Sequence, residues 1–104
     1  MVIVLGSVIT RPDSTAAALA LSQEHVARSR TEPGCVAHAV HQDAENPQRL
    51  VFVERQSSRE ALWEHFKVPA SRAFAKALAG FATAVPSIEL FEASEIAIPG
   101  RIAS

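Results

Sequence analysis

Four histidines, one cysteine and a glutamate set between Val53 and Arg55 are the residues of this 104-residue chain whose types could do chemistry. His65 falls on a helical stripe with Leu62, Phe66 and Pro69. An imidazole in an apolar cleft shifts its basicity and can accept a proton near neutral pH. The alternative for such a residue is a core histidine satisfied by one backbone carbonyl. His38 shares strand parity with Val36 and Val40 and is expected to point inward, whereas His25 and His41 read as solvent-facing residues without a role. Trp63, at the edge of the stripe, is either packing or a stacking platform. Glu54 is either an exposed-face residue or an anchor for a polar neighbour. Cys35, His38 and His41 are spaced three apart, which on a helix would place them on one side. On a strand that spacing disperses them, because alternate residues face opposite ways, and about 20 Å would separate Cys35 from His41. No metal centre is expected from them. Walker, G-x-G-x-x-G, G-x-S-x-G, H-E-x-x-H and EF-hand patterns are absent from the sequence, so nucleotide and flavin fingerprints are unsupported.

The elements that must position these side chains are punctuated by proline. Met1 to Thr10 is short and β-branched, with apolar residues on both parities, and reads as a strand buried on both faces. Asp13 or Ser14 starts a helix that runs to Arg30 with its stripe on Leu19, Gln23, Val26 and Arg30, and Pro33 ends it. Cys35–Gln42 and Leu50–Arg55 form an antiparallel hairpin across the loop Asp43–Gln48. Ser57 or Ser58 caps a second helix, Pro69 interrupts it, and Phe74, Leu78 and Phe81 carry the pattern onward. Ser87–Ile98 is the last strand. The order β-α-β-β-α-β predicts an α+β, ferredoxin-like antiparallel sheet with its helices on one face. One domain over residues 1–97 and a tail over 98–104 are expected. Two helices cover one face of such a sheet, yet the first strand is apolar on both. The second face is therefore expected to be buried by another copy of the chain, in a two-fold homodimer.

Composition narrows the function classes. Ten basic against eleven acidic residues give a net charge of −1, which lacks the basic excess of a non-specific nucleic-acid binder. One cysteine precludes an internal disulfide framework. The apolar amino terminus has no basic flank and is too short to span a bilayer, so no membrane partner and a cytoplasmic location are expected.

Taken together, Glu32-Pro-Gly-Cys35, Val51-Phe-Val-Glu-Arg55, Ser58-Arg-Glu-Ala-Leu-Trp-Glu-His65, Pro69 and Phe74 resemble the antibiotic biosynthesis monooxygenase domain, including the small bacterial quinol monooxygenases. The resemblance runs from about Val2 to Ile96. It implies a dimeric α+β barrel, two ferredoxin-like subunits with their sheets packed together and a pocket between each sheet and its helices. It implies oxygenation of a small aromatic phenol or hydroquinone by O2 with no metal, flavin or haem. Carried over position by position, His65 matches the family's helix histidine and Glu54 its strand glutamate. His38 stands where many relatives carry a pocket tyrosine, and Phe74 matches a pocket aromatic. His65 and His38 are thus the expected catalytic pair, with Glu54, Phe52, Trp63, Phe66 and Phe74 contacting substrate. Gln56 replaces a usual tryptophan and Ala70 a usual second histidine. Those departures motivate the rival expectation of a non-catalytic, dimeric binding or stress-associated module on the same fold. An isomerase or cyclase using the same cleft is a third.

Overall fold

The computed structural model describes residues 1–100. Seven elements follow in the order β1 (Val2–Ile9), α1 (Thr15–Ser29), β2 (Cys35–Gln42), β3 (Arg49–Gln56), α2 (Arg59–Lys67), α3 (Pro69–Phe81) and β4 (Ser87–Glu92). The sheet is antiparallel with strand order β2-β3-β1-β4, the ferredoxin-like arrangement the sequence predicts. The helices lie on one face.

Register sorts every strand residue onto a face. Val4 pairs with Glu54, Gly6 with Phe52 and Val8 with Leu50, and these look toward the helices. Leu50 and Ala18 are fully buried there, with Val8, Val26 and Leu78 beside them. The opposite face carries Ile3, Leu5, Ile9, Val51, Val53 and Phe91, and in the single chain it stays open: Leu5 is 38% and Phe91 45% exposed. β4 is an edge strand exposed along its whole length.

Four local expectations are corrected. α1 ends at Ser29, and its buried stripe is Ala18, Ser22, His25, Val26 and Ser29, one step round from the expected one. The cause is size: Ser22 folds its hydroxyl back onto the Ala18 carbonyl at 2.7 Å, so small residues let the helix approach the sheet more closely than Leu19 would. Ser14 precedes α1 without making a side-chain cap bond, while Ser58 does cap α2 by accepting from the Ala61 N–H at 3.1 Å. β4 stops at Glu92, opposite Val2 where β1 begins, and one further bond from the Ala93 N–H to the Met1 carbonyl at 2.9 Å closes the pair. β2 carries a bulge between Cys35 and Ala37. It throws Val36 out to 53% exposure, so Val36 does not share His38's face. Residues 101–104 of the expected tail lie outside those described. Among the described residues no helix is long and apolar enough to cross a membrane.

Candidate functional site

The site begins with two turns. Gly34 takes a positive φ of 84°, and a Cβ there would stand 2.5 Å from that of Ala61. A residue without a side chain is what lets the lead into β2 lie against α2. That contact delivers Glu32 to His65: Oε1 lies 2.6 Å from Nδ1. The second turn is at Val68, whose extended backbone before Pro69 ends α2 and starts α3, as a pre-proline residue must. His65 therefore sits in the last full turn of α2, 5% exposed.

Around it the inner face is polar. The bulge in β2 returns His38 to the inside at 4% exposure, and Glu54 projects from the neighbouring strand at 4%. His38 Nε2 is 3.6 Å from Glu54 Oε2, and His65 Nε2 is 3.8 Å from Glu54 Oε1. Gln56 donates its amide to Glu54 at 2.6 Å; the residue that stands at the usual tryptophan position thus holds the carboxylate, while its own Oε1 has no partner. His38 Nδ1 lies 2.5 Å from the Ser29 hydroxyl.

His25 belongs to the same cluster. The expectation that it faces solvent is overturned: it is 7% exposed and stacks on Phe74 at 3.9 Å with the rings 6° from parallel. A faded apolar stripe hid it, since the buried side of α1 is built from serine and alanine instead of leucine. Arg28 ties the layer together, donating to His25 Nδ1 at 2.8 Å, to Glu32 Oε2 at 2.9 Å and to the Ser71 hydroxyl at 3.1 Å. A guanidinium can only donate, so His25 Nδ1 accepts and the proton of the neutral ring is on Nε2.

Electrostatics follow from burial. Loss of solvent, with the neighbouring imidazoles and Arg28 adding to it, pushes His25 down to about 3 and His38 to about 4. Both rings are neutral at physiological pH. Burial pushes the Glu54 carboxyl up, against the bond from Gln56 and the pull of His65. It also raises the Cys35 thiol, so that sulfur is a poor nucleophile.

Beside the cluster a cavity of about 300 Å³ opens between α3 and the β1–β4 edge, a volume at the lower end for small-molecule sites. His25, His65 and Glu54 supply its polar wall, Phe52, Phe66 and Phe74 its aromatic one, and Gly6 its floor. Of the residues expected in contact with substrate, Trp63 lies elsewhere. It is 44% exposed and borders a separate hollow with Leu62, Leu90 and Phe91. Phe66 forms part of the rim at 36% exposure. His38 sits behind Glu54 and does not line the cavity itself. Cys35, His38 and His41 do not converge, although not for the reason strand parity suggests. The bulge puts Cys35 and His38 on one face and leaves His41 on the other. Sequence reasoning missed Glu32 as a site residue, along with Arg28, Ser29 and Ser71. The signal for Glu32 was its place in Glu32-Pro-Gly-Cys35, a segment of the family resemblance to which no role was attached.

The family model described as antibiotic biosynthesis monooxygenase matches residues 1–77. The chain belongs to that family. A candidate antibiotic biosynthesis monooxygenase from Deinococcus radiodurans superposes with a TM-score of 0.89 at 26% identity, covering 96% of this chain and all of that one. The structure of Rv0793 from Mycobacterium tuberculosis gives 0.85 at 27% identity, over 93% of this chain and 98% of that one. Among curated proteins, the uncharacterised sll1783 of Synechocystis is 34% identical over 68 residues, covering 65% of this chain and 46% of that protein. The chain thus spans about half the length of that relative. The site combines an apolar cavity with a histidine–carboxylate pair at its wall, and His25, His38, His65, Glu32 and Glu54 are each held by a polar neighbour.

Proposed function

We propose that the chain is a cofactor-independent monooxygenase of a small aromatic phenol or hydroquinone, with O2 as the second substrate. The observation that carries this reading is His65 on the wall of an aromatic cavity, with Glu32 behind it at 2.6 Å. Glu32 is held as a carboxylate by Arg28, so His65 Nδ1 donates to it and Nε2 keeps a free lone pair. That nitrogen takes the phenol proton, and Glu32 stabilises the imidazolium that results, as an acidic partner does for a general-base histidine. Ground-state O2 is a triplet and reacts slowly with closed-shell molecules. The electron-rich phenolate first passes it one electron, and the two radicals join at a hydrogen-bearing ring carbon ortho or para to the oxygen. The hydroperoxide so formed loses that carbon's hydrogen and a hydroxide, protonated by His65, to leave a quinone and water. One oxygen atom ends in the product and the other in water. Phe52, Phe66 and Phe74 hold the ring flat and exclude water from the peroxide, while Glu54, backed by His38 and Gln56, orients the hydroxyl.

The working unit in this reading is a homodimer closed over the outer sheet face. The chain exposes 6859 Å² where a compact monomer of its mass exposes about 5,700 Å². The apolar residues Leu5, Ile9, Val53 and Phe91 all lie on that face. Oxygen uptake with naphthohydroquinones and anthrones tests the chemistry. His65→Gln and Glu32→Gln are expected to slow it, the first by roughly 10²–10⁴-fold, with products heavier by oxygen. Equal rates in His65→Gln remove that residue from the mechanism. Ligand binding without uptake favours the non-catalytic reading that Gln56 and Ala70 motivate.

A further inference from the structure

One cation borders the cavity without a partner. Arg72, in the first turn of α3, is among the lining residues and is exposed. Its backbone N–H bonds the Val68 carbonyl at 3.2 Å, but its guanidinium meets neither a hydrogen-bond acceptor nor a carboxylate among the described residues. The nearby cations differ in this. Arg28 bonds Glu32, His25 and Ser71, and Arg59 pairs with Glu92. No acidic residue on α3 can serve Arg72, since Pro69–Phe81 carries Arg72 and Lys76 and no aspartate or glutamate. Nor does the strand across the cavity supply one: Ser87 and Ile88 line it, and Glu89 pairs with Leu5 on the outer sheet face.

We propose that Arg72 receives a carboxylate of the substrate, so that the cavity takes aromatic hydroxy acids. This rests on the reading of the cavity as a phenol site. In the empty cavity water satisfies the five N–H donors of Arg72. A ring that fills the space displaces part of that water, and a guanidinium always stays charged. An uncharged ring leaves those donors without acceptors, whereas a carboxylate takes two of them at once along the planar fork. The polar wall sets the orientation. Glu54 stands there, with Glu32 behind His65, and like charge keeps an anionic group away from them. The hydroxyl of such a substrate therefore turns to His65 and its carboxylate to Arg72, which places the ring between Phe52, Phe66 and Phe74. Arg72 is thus a specificity residue, separate from the groups that move protons.

Equilibrium dialysis without O2 reads binding apart from turnover. The probes are 6-hydroxy-2-naphthoate and 3-hydroxy-2-naphthoate, which set hydroxyl and carboxylate far apart or adjacent, each against its uncharged carboxamide. At low ionic strength the wild type should bind the acid of at least one pair about 5-fold more tightly than the amide, the upper range for a solvent-exposed ion pair. Added salt should shrink that gap. Arg72→Gln should close it and leave amide binding unchanged, which also shows that the cavity is intact. Arg72→Glu should make the amide the tighter ligand. Lys76→Gln, an equal change of charge on α3 outside the cavity lining, should preserve the gap. An acid no tighter than its amide in both pairs overturns the proposal. So does a gap that survives Arg72→Gln or closes equally in Lys76→Gln. Oxygen uptake separates this from the oxygenase reading. Preference for the acid, with no uptake from these compounds or from naphthohydroquinones, keeps the carboxylate site and removes the oxygenase. Uptake at low substrate that is as fast with amides as with acids, in wild type and Arg72→Gln alike, keeps the oxygenase and removes the site.

Discussion

Acid should unfold this protein through its interior histidines. His25 and His38 titrate near 6.5 in the unfolded chain and at about 3 and about 4 in the folded one. The folded state therefore binds fewer protons across that window, so stability is full above about pH 6.5 and falls as pH drops. Each ring that gains a proton on unfolding contributes about 1.4 kcal/mol per pH unit. The groups facing them are Arg28 on α1, Arg30 just after it, His65 on α2, Glu54 on β3 and Glu32 before β2; Phe74 and Ser71 on α3 carry no charge. Glu54 acts in the opposite sense. Burial raises its carboxyl, so proton uptake there in the folded state offsets part of that slope. The two rings together set an upper limit of about 2.8 kcal/mol per pH unit below pH 6.5, and Glu54 brings the net slope under it. A limit of that size is a large share of the 5–15 kcal/mol typical of a domain. Urea unfolding followed by circular dichroism, at half-unit pH steps, measures the slope. His25→Gln and His38→Gln should each flatten the curve by about one proton. A slope that neither substitution alters, or stability that rises on acidification, refutes the assignment of neutral buried rings.

Gly34→Ala should cost about 1–3 kcal/mol, because a Cβ at φ 84° would meet Ala61 at 2.5 Å; a thermal melt within a degree of wild type would contradict the close approach. Gly6 has ordinary φ, and its Cβ would meet only Phe52 and Ser87 at 3.5–3.6 Å. Gly6→Ala should therefore fold normally, whereas Gly6→Leu should fill the cavity floor and abolish binding of two-ring phenols, read by fluorescence quenching of Trp63. Leu5→Glu should convert a dimer to a monomer in sedimentation velocity, and a wild-type protein already monomeric would remove the homodimer from the proposed function.

Punctuation and patterning carried the fold. Pro69 marked the α2–α3 junction, Ser57 or Ser58 the cap, and strong alternation marked Leu50–Arg55 as a strand, while the register decides that Glu54, left open between an exposed residue and an anchor, faces inward beside Leu50 and Phe52. Local signals failed where a neighbour changed the rule. Val36 shows this: nothing in Cys35–Gln42 announces a bulge, and the bulge decides which side chains of β2 share a face.

The sequence by itself determined the order of the elements, the ferredoxin-like class and the presence of His65 on an inward stripe, because those depend on residues a few positions apart. Only the tertiary structure decided that His25, His38, His65, Glu32 and Glu54 meet. They come from α1, β2, α2, β3 and a turn, and their convergence depends on how closely a serine- and alanine-faced helix and a glycine turn let those elements pack. That spacing is a property of contacts between distant segments, and no window along the chain contains it.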